Sequence, residues 1–253
     1  EHLAHLPAED PLRRLELPVA AALPPEFDRR WPEPPRELPA ALAALARLPI
    51  DHAVGPAPFT GGSKAGAAVL ATFLDARLPR YGEERNDPDR AATSGLSPWL
   101  HFGHVSSHDV VLAVLAREGV DPAGLVASGD GSREGWWGAS PSAEGFLDQV
   151  VTWRELGFNF TSHRPDDHDR YASLPSWARA SLDAHASDVR PVRYSRAQLE
   201  GARTHDEVWN AAQRELVREG RMQNYLRMLW GKKLLEWSKS PEDALALAIE
   251  LNN

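Results

Sequence analysis

Cysteine is absent from the 253 residues, which excludes disulfides and thiolate metal sites and agrees with a reducing compartment such as the cytoplasm. No run of about 18 apolar residues is present, so no membrane span is expected. Nothing near Glu1 resembles a signal peptide; the first residue is not Met, and the chain is treated as a processed or excised piece. Alternating apolar and polar runs of strand type are missing, as is any internal repeat. Excess positive charge is missing too. The net charge is -8, which argues against a coat that grips nucleic acid over its whole surface, because duplex binding relies on Lys and Arg neutralising phosphates. What is present is an ordinary globular composition, 42% hydrophobic and 25% charged, long enough for one or two domains.

Proline, alanine and leucine dominate residues 1–58, with PPEF and WPEPPREL interrupting every apolar run. This segment reads as a linker with short helices. From Phe59 the pattern becomes helical. GGSKAGAAVLATFLDARL has apolar residues at 69, 70, 73, 74 and 78, one face of a helix. In SGLSPWLHFGHVSSHDVVLAVLARE, Ser97 is the expected N-cap, with Pro98 at the first helical position. AEGFLDQVVTWRELGFNF repeats the helical spacing at 146, 147, 150, 151 and 153. Thr204 and Glu207 form the T-x-x-E pattern of a capping box, which predicts a helix starting just before Trp209 and ending at Gly220. A second helix is expected from about Arg221 to Trp237, and Ser240-Pro241-Glu242-Asp243 opens a third. The expected class is all-α, with a helical domain over 59–253.

Three features carry chemistry. Trp230 and Trp237 are seven residues apart, hence nearly on one face and about 10 Å apart along a helix, with Trp209 on the helix before. Packing explains such indoles, and Leu226, Trp230 and Leu234 form an i, i+4, i+8 stripe. The alternative is a path for single electrons beside a redox cofactor. TSGLSP, residues 93–98, brings hydroxyls and backbone N–H groups to a helix start, which suits either a phosphate or a plain helix cap. His101, His104 and His108 have i, i+3, i+7 spacing, but no carboxylate pattern accompanies them, and packing or capping is the better reading; no metal is expected. Between Arg214 and Lys239, seven basic residues face three acidic ones, a local reversal of the overall sign.

In this order, Tyr81-x3-Arg85, TSGLSPWLHFGHVS, FLDQVVTWREL, WNAAQRELVREGRM and YLRMLWGKKLLEW resemble the flavin-binding helical domain of the DNA photolyase and cryptochrome family. WNAAQ followed by RMLWGKKLLEW is most similar to the class II cyclobutane pyrimidine dimer photolyases. The resemblance covers about residues 59–253. It implies non-covalent FAD, active in the fully reduced anionic form. The implied partner is UV-damaged DNA and the implied reaction a light-dependent carbon–carbon lyase step that splits a flipped-out dimer. A monomer in the cytoplasm is expected.

The resemblance also assigns residues. Tyr81 matches a tyrosine beside the cofactor, and Thr93, Ser94, Gly95, Leu96 and Ser97 match the segment that holds the FAD phosphates. Arg154 and Arg227 match cations near the flavin, and Asn252 resembles an asparagine that approaches its N5. Trp153 and Met228 match the lesion pocket, and Arg85 a DNA-phosphate contact. Trp230 corresponds to the indole nearest the flavin, Trp209 to the outer one, and Trp237 to a neighbour able to take part. Two positions depart from the family pattern. Gln149 stands where a glutamate commonly contacts the dimer, and Met222-Gln223-Asn224 replaces Met-His-Gly, with Asn224 resembling the asparagine of other photolyase classes. An amide can hydrogen-bond a thymine carbonyl but has no acidic proton to give.

The family domain is expected to continue beyond Asn253, and an antenna chromophore is expected only on an α/β domain before Glu1. A blue-light photoreceptor without repair activity shares this cofactor and fold and is the alternative reading. A cofactor-free interaction or metal-binding helical domain is the second.

Overall fold

A computed structural model describes residues 25–30, 37, 43–50, 52, 54–125 and 135–252. They fall into two compact units divided between Pro56 and Ala57. The smaller holds α1, Pro25–Arg30, and a helical turn at 43–45. Most of the expected linker lies outside the described residues.

The larger unit is helical, and no strand occurs among its described residues. α2, Ser63–Thr72, runs through a π turn, Phe73–Arg77, into α3, Leu78–Glu84. Pro79 has no N–H for the Asp75 carbonyl four residues back, and the turn widens so that Leu78 N–H reaches Phe73 C=O instead. Gly66 lets α2 approach Trp99, whose Cδ1 lies 2.9 Å from where a Cβ would be.

The expected single helix after Ser97 is two. α4, Ser97–His101, has Leu96 as its N-cap, without a side-chain bond, so Ser97 is the first helical residue rather than the cap. The chain turns at Gly103, φ 68°. It restarts at α5, Ser107–Glu118, where Ser106 caps by accepting Asp109 N–H at 2.9 Å. α6, Pro141–Leu147, passes through a second π turn, Asp148–Trp153, into α7, Arg154–His163. The first core joins α2 to α6 through Phe73, Leu78, Tyr81, Leu96, Trp99, Val110 and Phe146.

α8, Ser176–Ala184, and α9, Arg196–Glu200, follow. The capping box lies at Ser195 and Gln198, at the start of α9, not at Thr204 and Glu207. α10, Glu207–Glu219, is capped by Asp206, which accepts Trp209 N–H at 2.9 Å. Thr204 is instead tied to Asn210: its hydroxyl donates to Asn210 Oδ1 at 2.8 Å, and Asn210 Nδ2 donates to the Thr204 carbonyl at 2.9 Å. Gly220 ends α10 with φ 66°, as expected. α11 covers Asn224–Trp237, three residues later than expected at its start, because Gln223 caps it by accepting the N–H groups of Tyr225 and Leu226. α12 is Pro241–Asn252, with Ser240 accepting Asp243 N–H. A second core, built on Leu199, Trp209, Ala212, Met222, Trp230, Leu234 and Trp237, joins α9 to α12.

Candidate functional site

The three tryptophans meet. Trp209 lies between the other two, its ring parallel to Trp230 (2° between planes, centroids 6.2 Å apart) and edge-on to Trp237 at 5.5 Å. All three are buried, at 1%, 3% and 1% exposure. Trp209 Nε1–H donates to the Trp230 carbonyl at 3.2 Å, and Trp230 Nε1–H donates to Gln213 Oε1 at 2.8 Å. Trp237 Nε1–H has no hydrogen-bond partner among the described residues. Around Trp237 stand Lys233, whose ammonium is 5.6 Å from the ring centroid, and Tyr194 and His205, which are hydrogen-bonded to each other. The Glu236 carboxylate, 2.8 Å from Lys233 Nζ, holds that ammonium above its usual titration range.

Tyr81 is buried against Phe73 and Phe146 in edge-on contacts at 5.9 and 5.3 Å. Burial pushes its phenol up, while Arg85, with its guanidinium 5.4 Å from the ring centroid, pulls the other way. Arg85 also ties three elements together. Its Nη1 donates to Gly145 C=O on α6 at 3.3 Å, and its own carbonyl accepts the Gln223 side-chain amide at 2.9 Å from the start of α11. In this way the Tyr81 end of α3 and the Asn224 end of α11 are joined.

Gly95 adopts φ 70°, and its missing Cβ faces Arg77 Nη1 at 3.8 Å. The same guanidinium donates to Thr93 C=O at 3.4 Å, and Ser94 Oγ accepts Leu96 N–H at 3.3 Å. Thr93, Ser94, Gly95, Leu96 and Ser97 thus form a tight turn with a half-buried cation against it. Composition alone gave no pointer to Arg77. Its place one helical turn before Tyr81 was the available signal.

Trp153 is 61% exposed and Met228 54%. Asp148 Oδ2 accepts both Trp153 Nε1–H, at 2.8 Å, and Gln149 Nε2–H, at 3.3 Å, so one carboxylate orients an indole and the amide beside it. Arg227 Nη1 donates to Asn252 Oδ1, which brings α11 and α12 together at two predicted site residues. Arg154 is bonded to Glu155 and lies over the Phe158 ring at 4.6 Å. No described contact joins it to Arg227.

His101 is on α4, His104 in the turn and His108 on α5, so the assumed common helix does not exist. His104 Nδ1 accepts Gly62 N–H at 3.1 Å. Among the described residues no group of three potential ligands is set to hold a metal ion, and no helix is long and apolar enough to cross a membrane.

No family model matches the chain. It is 39% identical over 209 residues to a deoxyribodipyrimidine photo-lyase of Potorous tridactylus, covering 82% of this chain and 36% of that protein. The protein of the same name from Oryza sativa subsp. japonica is 39% identical over 230 residues, 90% of this chain and 37% of its own. A third, from Methanothermobacter thermautotrophicus, is 37% identical over 207 residues, 82% and 41%. The chain therefore spans little more than a third of the length of the curated relatives it matches. Its fold resembles the crystal structure of a bacterial class III photolyase from Agrobacterium tumefaciens, with TM-score 0.50 and 22% identity over 78% of this chain and 39% of that one. Identity near 40% across most of its length, carried on the same helical fold, makes this chain a member of the photolyase/cryptochrome family.

Proposed function

We propose that the chain is the flavin-binding portion of a light-driven DNA repair enzyme that splits cyclobutane pyrimidine dimers, nearest in kind to class II. The observation that carries this reading is the buried indole stack, Trp230 parallel to Trp209 and Trp209 against Trp237. Ring-to-ring contacts of this kind let one-electron oxidation move between indoles.

FAD, fully reduced and excited by blue light, would supply the electron that opens the dimer. The residues present suit such a group. Gly95 leaves room beside a half-buried guanidinium that has no carboxylate partner among the described ion pairs, and Thr93, Ser94, Leu96 and Ser97 complete the turn, so a diphosphate would meet cation and hydroxyls together. Tyr81 would flank the cofactor. Arg227, held by Asn252, and Arg154 would add positive charge near an anionic ring system and favour its reduced state.

Trp153 and Met228 are exposed apolar side chains, suited to stack on and cover an extruded base. Gln149 would accept or donate a hydrogen bond at the lesion, Asn224 would border it, and Arg85 would contact a DNA phosphate. The protein would act as a monomer in the cytoplasm.

UV-treated DNA incubated with the FAD-loaded protein should lose its dimers under blue light and keep them in the dark. Full flavin content without repair would favour the photoreceptor reading. A colourless protein after FAD is supplied would favour the cofactor-free one.

A further inference from the structure

Gln213 is a buried polar side chain without a role in the function as described. It is 1% exposed and lies one helical turn beyond Trp209 on α10, with its Oε1 accepting the Trp230 indole N–H at 2.8 Å. A leucine would fill similar space without desolvating an amide. The amide is therefore informative, and its meaning comes from where the other indole protons point. Trp209 donates to a backbone carbonyl, and Trp237 has no acceptor among the described residues. Among the described residues, no indole N–H of the stack is hydrogen-bonded to a carboxylate or an imidazole.

An indole that has lost one electron is a far stronger acid than the neutral ring, so what its N–H meets decides whether the proton stays. An amide oxygen is too weak a base to take the proton, yet its dipole favours positive charge on the donor. A carboxylate or imidazole in the same place would take it and leave a neutral radical fixed on Trp230.

We propose that Gln213 is a positioning residue of the electron path, one that keeps Trp230 protonated while it is oxidised so that the electron deficiency moves on to Trp209. The idea rests on the light-driven flavin reading. With flavin bound, one electron would leave Trp230 for the photoexcited oxidised cofactor, and one electron from Trp209 would refill Trp230. Both indoles keep their N–H protons. The deficiency on Trp209 would then be filled by one electron from a soluble thiolate, which is left as a thiyl radical.

The test uses Gln213→Glu and Gln213→Leu in FAD-loaded protein, with transient absorption to separate cationic from neutral indolyl radicals. Indole N–H resonances in nitrogen-15 spectra give a second readout that needs no light and no flavin. In Gln213→Leu the Trp230 resonance should shift and its exchange with solvent should quicken, with photoreduction slowed in folded protein. In Gln213→Glu at mildly alkaline pH, where even a carboxyl pushed up by burial is ionised, the neutral radical should appear and transfer to Trp209 should be lost.

Wild-type radical spectra and rates in both folded variants would overturn the proposal while leaving the flavin reading standing. An unmoved Trp230 resonance in Gln213→Leu would remove the hydrogen bond on which it depends. Wild-type protein that holds FAD but shows no photoreduction would refute the light-driven reading, and this proposal with it.

Discussion

Replacing each stacked tryptophan by phenylalanine should give three different stability costs, although all three rings are almost fully buried. The common part is lost area and a small cavity, about 1 to 2 kcal/mol at 25 to 30 cal/mol per Å² with incomplete collapse of the site. The hydrogen-bond part differs. Trp230→Phe strands Gln213 Oε1, a buried acceptor that loses its only described donor, which adds about 1 to 3 kcal/mol. Trp209→Phe leaves the Trp230 carbonyl without the indole, but that carbonyl lies within α11 and keeps a helical role, so the addition is about 0.5 to 1 kcal/mol. Trp237→Phe removes an N–H that has no partner among the described residues, and the relief of a buried unsatisfied donor offsets much of the lost area, leaving about 1 kcal/mol or less. The expected order is Trp230, then Trp209, then Trp237, over a span of about 2 to 4 kcal/mol. Urea unfolding followed by far-ultraviolet circular dichroism measures it without relying on the altered fluorophores. A Trp237→Phe cost equal to or above that of Trp230→Phe would refute the hydrogen-bond accounting.

Photoreduction of oxidised flavin should follow a related order in FAD-loaded protein: nearly abolished in Trp230→Phe, strongly slowed in Trp209→Phe and less affected in Trp237→Phe, whose ring faces the Lys233 cation. Repair from chemically reduced enzyme should survive all three, and normal photoreduction in folded Trp230→Phe would return these rings to packing. Arg85→Ala should weaken DNA binding and flatten the logarithmic salt dependence by about one unit, as measured by binding titrations at several salt concentrations. Trp153→Ala should reduce preference for dimer-containing over undamaged DNA by about 1 to 3 kcal/mol, and equal losses on both would remove Trp153 from the lesion pocket. Asp167 accepts a bidentate bond from Arg164 at 2.9 and 2.7 Å, which holds its carboxyl below the usual range. A depressed carboxylate stabilises the fold above its unfolded pKa and loses that effect as pH falls through the folded value. Amide protection over residues 164–173, taken relative to the intrinsic exchange rate at each pH, should therefore fall on acidification, and Asp167→Asn should show the lower protection already at neutral pH.

Amino-acid order alone determined the helical class, the Gly220 stop and the α12 start, because caps, glycine stops and 3.6-residue periodicity are local properties. Its motif order also pointed to the family that the relatives support. Tertiary structure decided what local rules could not. The Thr204–Glu207 pattern was a reasonable cap, but Asn210 draws Thr204 into the loop and leaves the capping to Asp206. The histidine spacing assumed a helix that Gly103 interrupts. Arg77 comes against the turn at Thr93 and Gly95 only after α2 and α3 have packed, and Gln213 reads as a generic helical glutamine until Trp230 is brought to it. Partners 16 and 17 residues away in sequence lie beyond the reach of helical periodicity. They are settled when two helix faces close on each other and every buried N–H must find an acceptor or go without.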